Sequence, residues 1–311
     1  MSEAPQWFFS PCADEPRTRA LEELARFLQE LTADPLAALL AERATELASR
    51  SELARHVGTD TFSEQLAAGR HDLTEALPVA RAWAMTAPAE PLCTLQTSGR
   101  GRTLEEALRE RLRALALNWP VLVRPELAAL AATGDGFVVV ADGRSLSEEM
   151  LARTVVHEVE GHVLPRVRAA RSGHVLAGIG SAGGVDAQEG WALLCEERAG
   201  LLTAARKHEL AWRTLACARM LDGGNFVAVR RQLVDEAGFS LEASYALAER
   251  LFRGSAGARP GLGREAAYLV HFLGWRAHLE EHPDDEAVAG CATVTPRACA
   301  QLRAAHAFEG S

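Results

Sequence analysis

The chain has 311 residues, 48% of them apolar, 24% charged and 6% aromatic, with 33 basic residues against 42 acidic ones and a net charge of −9. That length suits one large domain or two ordinary ones and supplies a core without covalent staples. Disordered and collagen-like classes are excluded by the composition, and basic nucleic-acid binders by the acidic balance. All the basic residues but Lys207 are arginine. The N-terminus, Met1-Ser2-Glu3-Ala4-Pro5, lacks the charged-then-apolar layout of a signal peptide, and no apolar run approaches the ~18 residues of a membrane span. Six scattered cysteines (Cys12, Cys93, Cys195, Cys217, Cys291, Cys299) form no C-x-x-C pair. They read as reduced, small core residues in a cytoplasmic protein.

From Thr18 to Ser51 apolar residues recur at helical spacing, with a break at Pro35, and Ser63 to Ala87 continues as helix. Pro88, Pro91 and the polar run Thr97 to Arg102 make the best boundary. This divides the chain into a helical region, 1–96, and a chemistry-bearing region, 97–311, unless the two are continuous. Thr103 to Leu117 is an amphipathic helix. Pro120 to Val123 reads as a short strand, Leu127 to Ala132 as a short helix or turn, and Phe137 to Val140 as the clearest strand. Ser145 and Glu148 form a capping box, so a helix is expected from about Leu146 until Pro165 stops it. A glycine-rich loop spans Arg171 to Gly184. Helices then fit Ala187 to Met220, Leu241 to Phe252 and Glu265 to Leu279, around a Gly/Pro loop from Gly254 to Gly263. The expected class is mainly α with a small β component, α+β.

The chemistry centres on His157-Glu158-Val159-Glu160-Gly161-His162. Zinc hydrolases commonly carry H-E-x-x-H, because residues four apart share a helix face and both imidazoles reach one ion. Here the second histidine comes five later. On a regular helix five residues turn ~500°, leaving the side chains roughly 140° apart. The spacing works only if the helix widens locally into a π-type bulge, which Gly161 tolerates. A third ligand is available 27 residues after His162 in Gln188-Glu189-Gly190-Trp191-Ala192, and His₂Glu with one open position is a catalytic zinc set. Glu196 and Glu197 compete with Glu189 for that role, and whichever of Glu189 and Glu196 misses the metal would orient a histidine. Glu158 should face the open position and serve as general base for metal-activated water. The Val138 to Val140 strand offers an edge for an extended peptide.

These residues resemble the tubulin tyrosine carboxypeptidase-like family of zinc metallopeptidases, which uses H-E-x-x-x-H and whose bacterial members carry Q-E-G-L-A. Gln188 to Ala192 matches four of those five positions, and the order of strand, H-E-x-x-x-H, glycine-bearing loop and Q-E-G helix also fits. Phe252-Arg253-Gly254 and Tyr268-Leu269 resemble the family's R-G and Y-L elements. The likeness covers roughly Asn118 to Leu279. It implies a zincin-like fold, Zn²⁺ held by His157, His162 and Glu189, and Glu158 as base. It also implies a peptide or protein C-terminus as substrate, with Arg253 or Arg250 on its carboxylate, and Tyr268 as oxyanion donor. His271 stands where many members have glycine and is a candidate substrate contact. Glu160 and Trp191 depart from the pattern, adding a carboxylate and bulk beside the proposed ligands.

The leading expectation is a bacterial zinc metallocarboxypeptidase acting in the cytoplasm, with no nucleic-acid or membrane partner. One alternative is a dipeptidyl peptidase III-like exopeptidase, suggested by H-E-x-x-G-H and Glu196-Glu197-x-Ala199. Another is a non-catalytic metal-binding regulator, suggested by the label of the bacterial relatives, which links them to flavohaemoglobin expression.

Overall fold

A computed structural model describes residues 15–31, 34–66, 71–86, 93–173 and 175–304, together with residues 7 and 9. Cys12, Pro88 and Pro91, used above, lie outside them. The chain opens with two antiparallel helices, α1 (Glu15–Glu30) and α2 (Pro35–Arg55). Asp34 caps α2 by accepting from the Leu36 N–H, and Pro35 occupies the first turn, where its missing donor costs nothing. Short helices α3 (Asp60–Leu66) and α4 (Ala76–Ala84) follow.

The middle of the chain builds two small sheets around α5 (Leu104–Ala114). Thr103 caps that helix through the Glu106 N–H, and Leu104, Leu108 and Leu112 form its fully buried stripe. Strand β1 (Leu95–Gln96) pairs antiparallel with β5 (Ser145–Leu146). Between them, β2 (Val121–Arg124), β3 (Ala131–Thr133) and β4 (Val138–Ala141) form a sheet in the order β2-β4-β3. Strand β4 runs parallel to β2 and antiparallel to β3, so it is the central strand and cannot be the peptide-binding edge expected of it. Its residues Val138 and Val140 are fully buried against α5. The edge beside the helix that carries His157 and Glu158 is β3, in a segment whose Ala-rich sequence reads as helix or turn. Pairing with β4 overrides that local preference.

Helix α6 (Glu148–Val156) is capped by Ser147, which accepts from the Met150 N–H, while Ser145 belongs to β5. At His157–Val163 the helix widens to π geometry, as the five-residue histidine spacing requires. It then continues through Pro165 as α7 (Leu164–Ser172) and ends at Gly173 in the left-handed region, φ 71°. Pro165 does not stop it. The Leu164 N–H bonds to the Val159 carbonyl five residues back, and the proline falls in the first turn of the resumed α-helix, where it is tolerated. The glycine-rich stretch includes a short helix, α8 (Val175–Ile179), which its sequence does not announce.

The remainder is helical: α9 (Gly184–Arg198), α10 (Ala204–Leu221), α11 (Phe226–Asp235), α12 (Leu241–Leu251), a 3₁₀ turn (Arg264–Ala266), α13 (Ala267–Glu281), α14 (Asp285–Ala289) and α15 (Pro296–Ala304). Helix α9 is wedged between the π segment and α13, and two glycines set how closely it sits. A Cβ on Gly161 would lie 2.4 Å from the Ala192 Cβ, and one on Gly190 would lie 2.3 Å from the His271 carbonyl carbon. Gly190 therefore makes room for α13. The main core joins α9, α10 and α13 with Leu39 of α2 and Ala76 and Ala80 of α4. Trp191 is buried in it, against Trp275 and away from the proposed ligands. Among the cysteines, Cys217 and Cys299 are buried as expected, whereas Cys93 is exposed. No described helix is long and apolar enough to cross a membrane.

Candidate metal centre

The π turn swings His157 and His162 onto one side of the helix, so that their Nε2 atoms stand 3.3 Å apart. The Glu189 Oε2, one turn into α9 from Asp186, lies 3.4 Å from His157 Nε2 and 3.7 Å from His162 Nε2. These three donor atoms converge on one point from two chain segments. Glu196 is on the other side of His157, accepting from Nδ1 at 2.7 Å, and half-buried Glu197 faces Arg276. Of the three glutamates weighed from the sequence, only Glu189 joins the convergent set.

Both imidazoles are held from behind. Glu196, fully buried, is gripped by Arg206 through Nε–Oε2 and Nη2–Oε1 contacts of 3.0 Å each. Arg206 is held in turn by Glu209, which also pairs with Arg153 and Arg213. His162 Nδ1 meets the Gln188 Oε1 at 3.2 Å. With both Nδ1 atoms donating to oxygen, both Nε2 atoms present lone pairs to each other and to a carboxylate. That arrangement is repulsive unless a positive charge sits among them. A proton answers the demand in part. Burial opposes charge on His157, but Glu189 and Glu196 outweigh it and raise its pKa to about 9. Burial likewise opposes charge on Glu189, and the His162 and His157 imidazoles hold its carboxyl far below the usual range regardless. On His162 burial prevails and the pKa falls.

The donor set fits a zinc ion. Ligands ~2.0–2.1 Å from a tetrahedral centre are separated by roughly 3.3–3.4 Å, and the observed separations are 3.3, 3.4 and 3.7 Å. Each histidine also has the oxygen partner on its far nitrogen that metal-bound imidazoles keep.

Glu158 follows His157 and is 5% exposed, with its Oε2 accepting a 2.7 Å hydrogen bond from Thr133 of the edge strand β3. Tyr268, at the start of α13, stacks on His157 with ring centroids 6.3 Å apart, and the Arg213 guanidinium lies over the Tyr268 ring, 5.1 Å from its centre. Burial, then the Glu189 and Glu265 charges, raise its pKa and keep the phenol protonated. His271 is half-buried, with an unpartnered Nε2, and burial followed by the charge of His71 lowers it to about 4, so it is neutral. Arg250 is engaged by the buried Glu265 at 2.8 Å, and Arg253 is exposed beyond the end of α12. Neither arginine joins the cluster. Glu160 turns away to Arg111 on α5, so it adds no charge among the ligands.

The model of the microtubule-associated tyrosine carboxypeptidase family matches residues 2–289, nearly the whole chain. The chain belongs to that family. No curated protein matches it. Membership places this microtubule-associated tyrosine carboxypeptidase relative among carboxypeptidase-type peptidases, in agreement with the resemblance drawn from its motifs, and extends the likeness into the N-terminal helices.

Several residues packed around the histidines carry no motif of their own in this family member. Gln188 was visible only as part of the Q-E-G string, Thr133 lay in an unrecognised strand, and Arg206 in a helix with no distinguishing pattern. Asp186 and Arg264 carry no motif either. Arg264 donates through Nε to Asp186 Oδ1 at 2.8 Å, and its charge reaches Glu189.

Proposed function

We propose that the chain is a zinc-dependent metallocarboxypeptidase of zincin-like build that removes a C-terminal residue from a peptide or protein. The observation that carries the reading is the convergence of His157 Nε2, His162 Nε2 and Glu189 Oε2 at tetrahedral spacing, with both Nδ1 atoms braced by oxygen. Family membership supports the carboxypeptidase direction. An active-site helix that follows a small sheet supports the zincin-like build.

His157, His162 and Glu189 would hold the ion, which when bound supplies Lewis acidity to the scissile carbonyl and acidifies a water. Glu158 takes the proton of the attacking water. Thr133 occupies its Oε2, so Oε1 is the oxygen that accepts. The same carboxyl then delivers the proton to the leaving amine. The Tyr268 phenol, kept protonated by burial, donates to the oxygen that gains charge in the transition state. Arg250 is engaged by Glu265, whose charge helps keep the Tyr268 phenol protonated, while His271 lines the cleft described below.

The test is a mass-spectrometric screen of a peptide library with chelated and zinc-reconstituted protein. Loss of single residues from the C-terminus, restored by about one equivalent of zinc per chain, is the expected result. Release of N-terminal dipeptides would replace the proposal with the dipeptidyl peptidase reading, and zinc binding without cleavage would replace it with the regulator.

A further inference from the structure

A cleft of about 1370 Å³ lies between the N-terminal helices and the segments that carry Asp186, Arg264 and His271. One wall comes from the N-terminal helices and mixes apolar residues such as Leu53, Val57 and Phe62 with charged ones such as Glu46 and Arg50. The other wall brings Asp186, Arg264 and His271 to the edge of the metal centre: Asp186 is one turn before Glu189 on α9, and the backbone of His271 packs on Gly190. Asp186 gathers basic side chains. It pairs with Arg264, lies 3.7 Å from Arg50 Nη2, and lies 3.6 Å from His71 Nε2.

Resting on the carboxypeptidase reading, we propose that Arg264 is the anchor for the substrate's terminal carboxylate and that the leaving residue lies in this cleft. Two features support it. Nε and Nη2 of Arg264 are spent on a single oxygen, Asp186 Oδ1, which fixes the guanidinium plane and leaves three N–H donors with no partner among the described residues. Its side chain is nonetheless 41% exposed, so those donors face the cleft rather than the core. An arginine held rigid by a carboxylate and open on its far edge is the fork that a second carboxylate fits. The other cations near the centre are less available. Arg250 is engaged by Glu265, Arg253 lies outside the cleft lining, and Arg166 faces Asp135 of the β3–β4 turn. Asp186 is thus a positioning residue, and the N-terminal helices become one wall of the site.

The experiment measures binding of a fluorescein-labelled pentapeptide ending in phenylalanine, as free acid and as amide, to zinc-loaded Glu158→Gln protein. The acid should bind about 10- to 100-fold more tightly than the amide, the range expected for charge-assisted hydrogen bonds. Arg264→Gln should erase that preference by weakening the acid alone. Arg264→Lys, which keeps the charge and loses the fork, should retain part of it and guards against a misfolded glutamine variant. Arg166→Gln should leave the acid-to-amide ratio intact. No preference in the parent protein, an undiminished preference in Arg264→Gln, or its loss in Arg166→Gln would overturn the assignment. Absence of bound zinc would instead overturn the metallopeptidase reading, because the acid-to-amide ratio is read separately from metal content.

Discussion

Glu158 and Glu196 are both buried carboxylates beside His157, yet their partners give them different work. Glu196 spends both oxygens on Arg206 and one also on the His157 Nδ1–H, whereas Glu158 has a single hydroxyl donor, Thr133, and an oxygen to spare. Glu158→Gln should therefore keep stoichiometric zinc while kcat falls about 10²- to 10⁴-fold, read by metal analysis and peptide turnover. Glu196→Gln should do the reverse, weakening zinc about 10- to 100-fold by loosening the imidazole, as competition with a chromogenic chelator would show. Protons add a third expectation. In protein stripped of metal the His157 pKa is raised to about 9, so the proton is bound at neutral pH and zinc must displace it. Zinc affinity should rise with pH up to about 9. Calorimetry at pH 7 in buffers of different ionisation enthalpy should register about one proton released per ion. The histidines and Glu158 were legible because their spacing is chemical information; Glu196 was legible only as one of three acids, since choosing among them needs the third dimension.

The π segment is the element that converts this spacing into a site. Its existence follows from an argument about angles: five residues on an α-helix diverge, and two imidazoles meant for one ion must not. What holds α9 in position is less visible in sequence. Gly161 in the π segment and Gly190 on α9 are the two points of closest approach, and either Cβ would overlap a neighbouring backbone or side chain. Gly161→Ala gains about 1 kcal/mol of helix propensity but meets the Ala192 Cα at 2.7 Å, an overpacking that costs roughly 1–3 kcal/mol. The clash should win, lowering the urea midpoint and weakening zinc together. Gly274 on α13 is the control, because its Cβ would meet open space; Gly274→Ala should be neutral or stabilising by up to ~1 kcal/mol in the same measurement. The edge strand β3 was missed for the opposite reason. Three residues of Ala-Ala-Thr have no strand signature of their own, and only pairing with Val138–Val140 makes them one.

At the scale of the whole molecule, the proposed metal centre would tie segments that are otherwise joined by packing. His157 and His162 belong to the unit built on α5 and the β2–β4 sheet, whereas Glu189 belongs to the core of α9, α10 and α13. An ion shared by both should stabilise the fold by mass action, about 4 kcal/mol at a thousandfold excess over Kd. For a chain of this length that corresponds to a few degrees in Tm, so chelator should lower the melting temperature of the wild type and leave that of Glu189→Ala unchanged. The N-terminal helices are part of the same picture, since α4 packs on α10 and α13, and Trp83 lies 6.2 Å from Phe272. Their contribution to the cleft wall had no sequence signal, because apolar helix faces look alike whether they cover a core or a substrate.

By itself the sequence determined the helical class, the central strand, the choice of His157, Glu158 and His162 as a candidate set, and the need for a widened helical turn. Each depends on neighbours within a few residues or on one helix's geometry, and such local constraints are written in periodicity and spacing. Only the tertiary structure decided that Glu189 rather than Glu196 meets both histidine Nε2 atoms, that β3 rather than β4 is the edge, and that Arg264 rather than Arg253 stands beside the centre. Those outcomes depend on how close two helices can come and on which of several like-charged side chains meets a given partner, and packing between distant segments settles both.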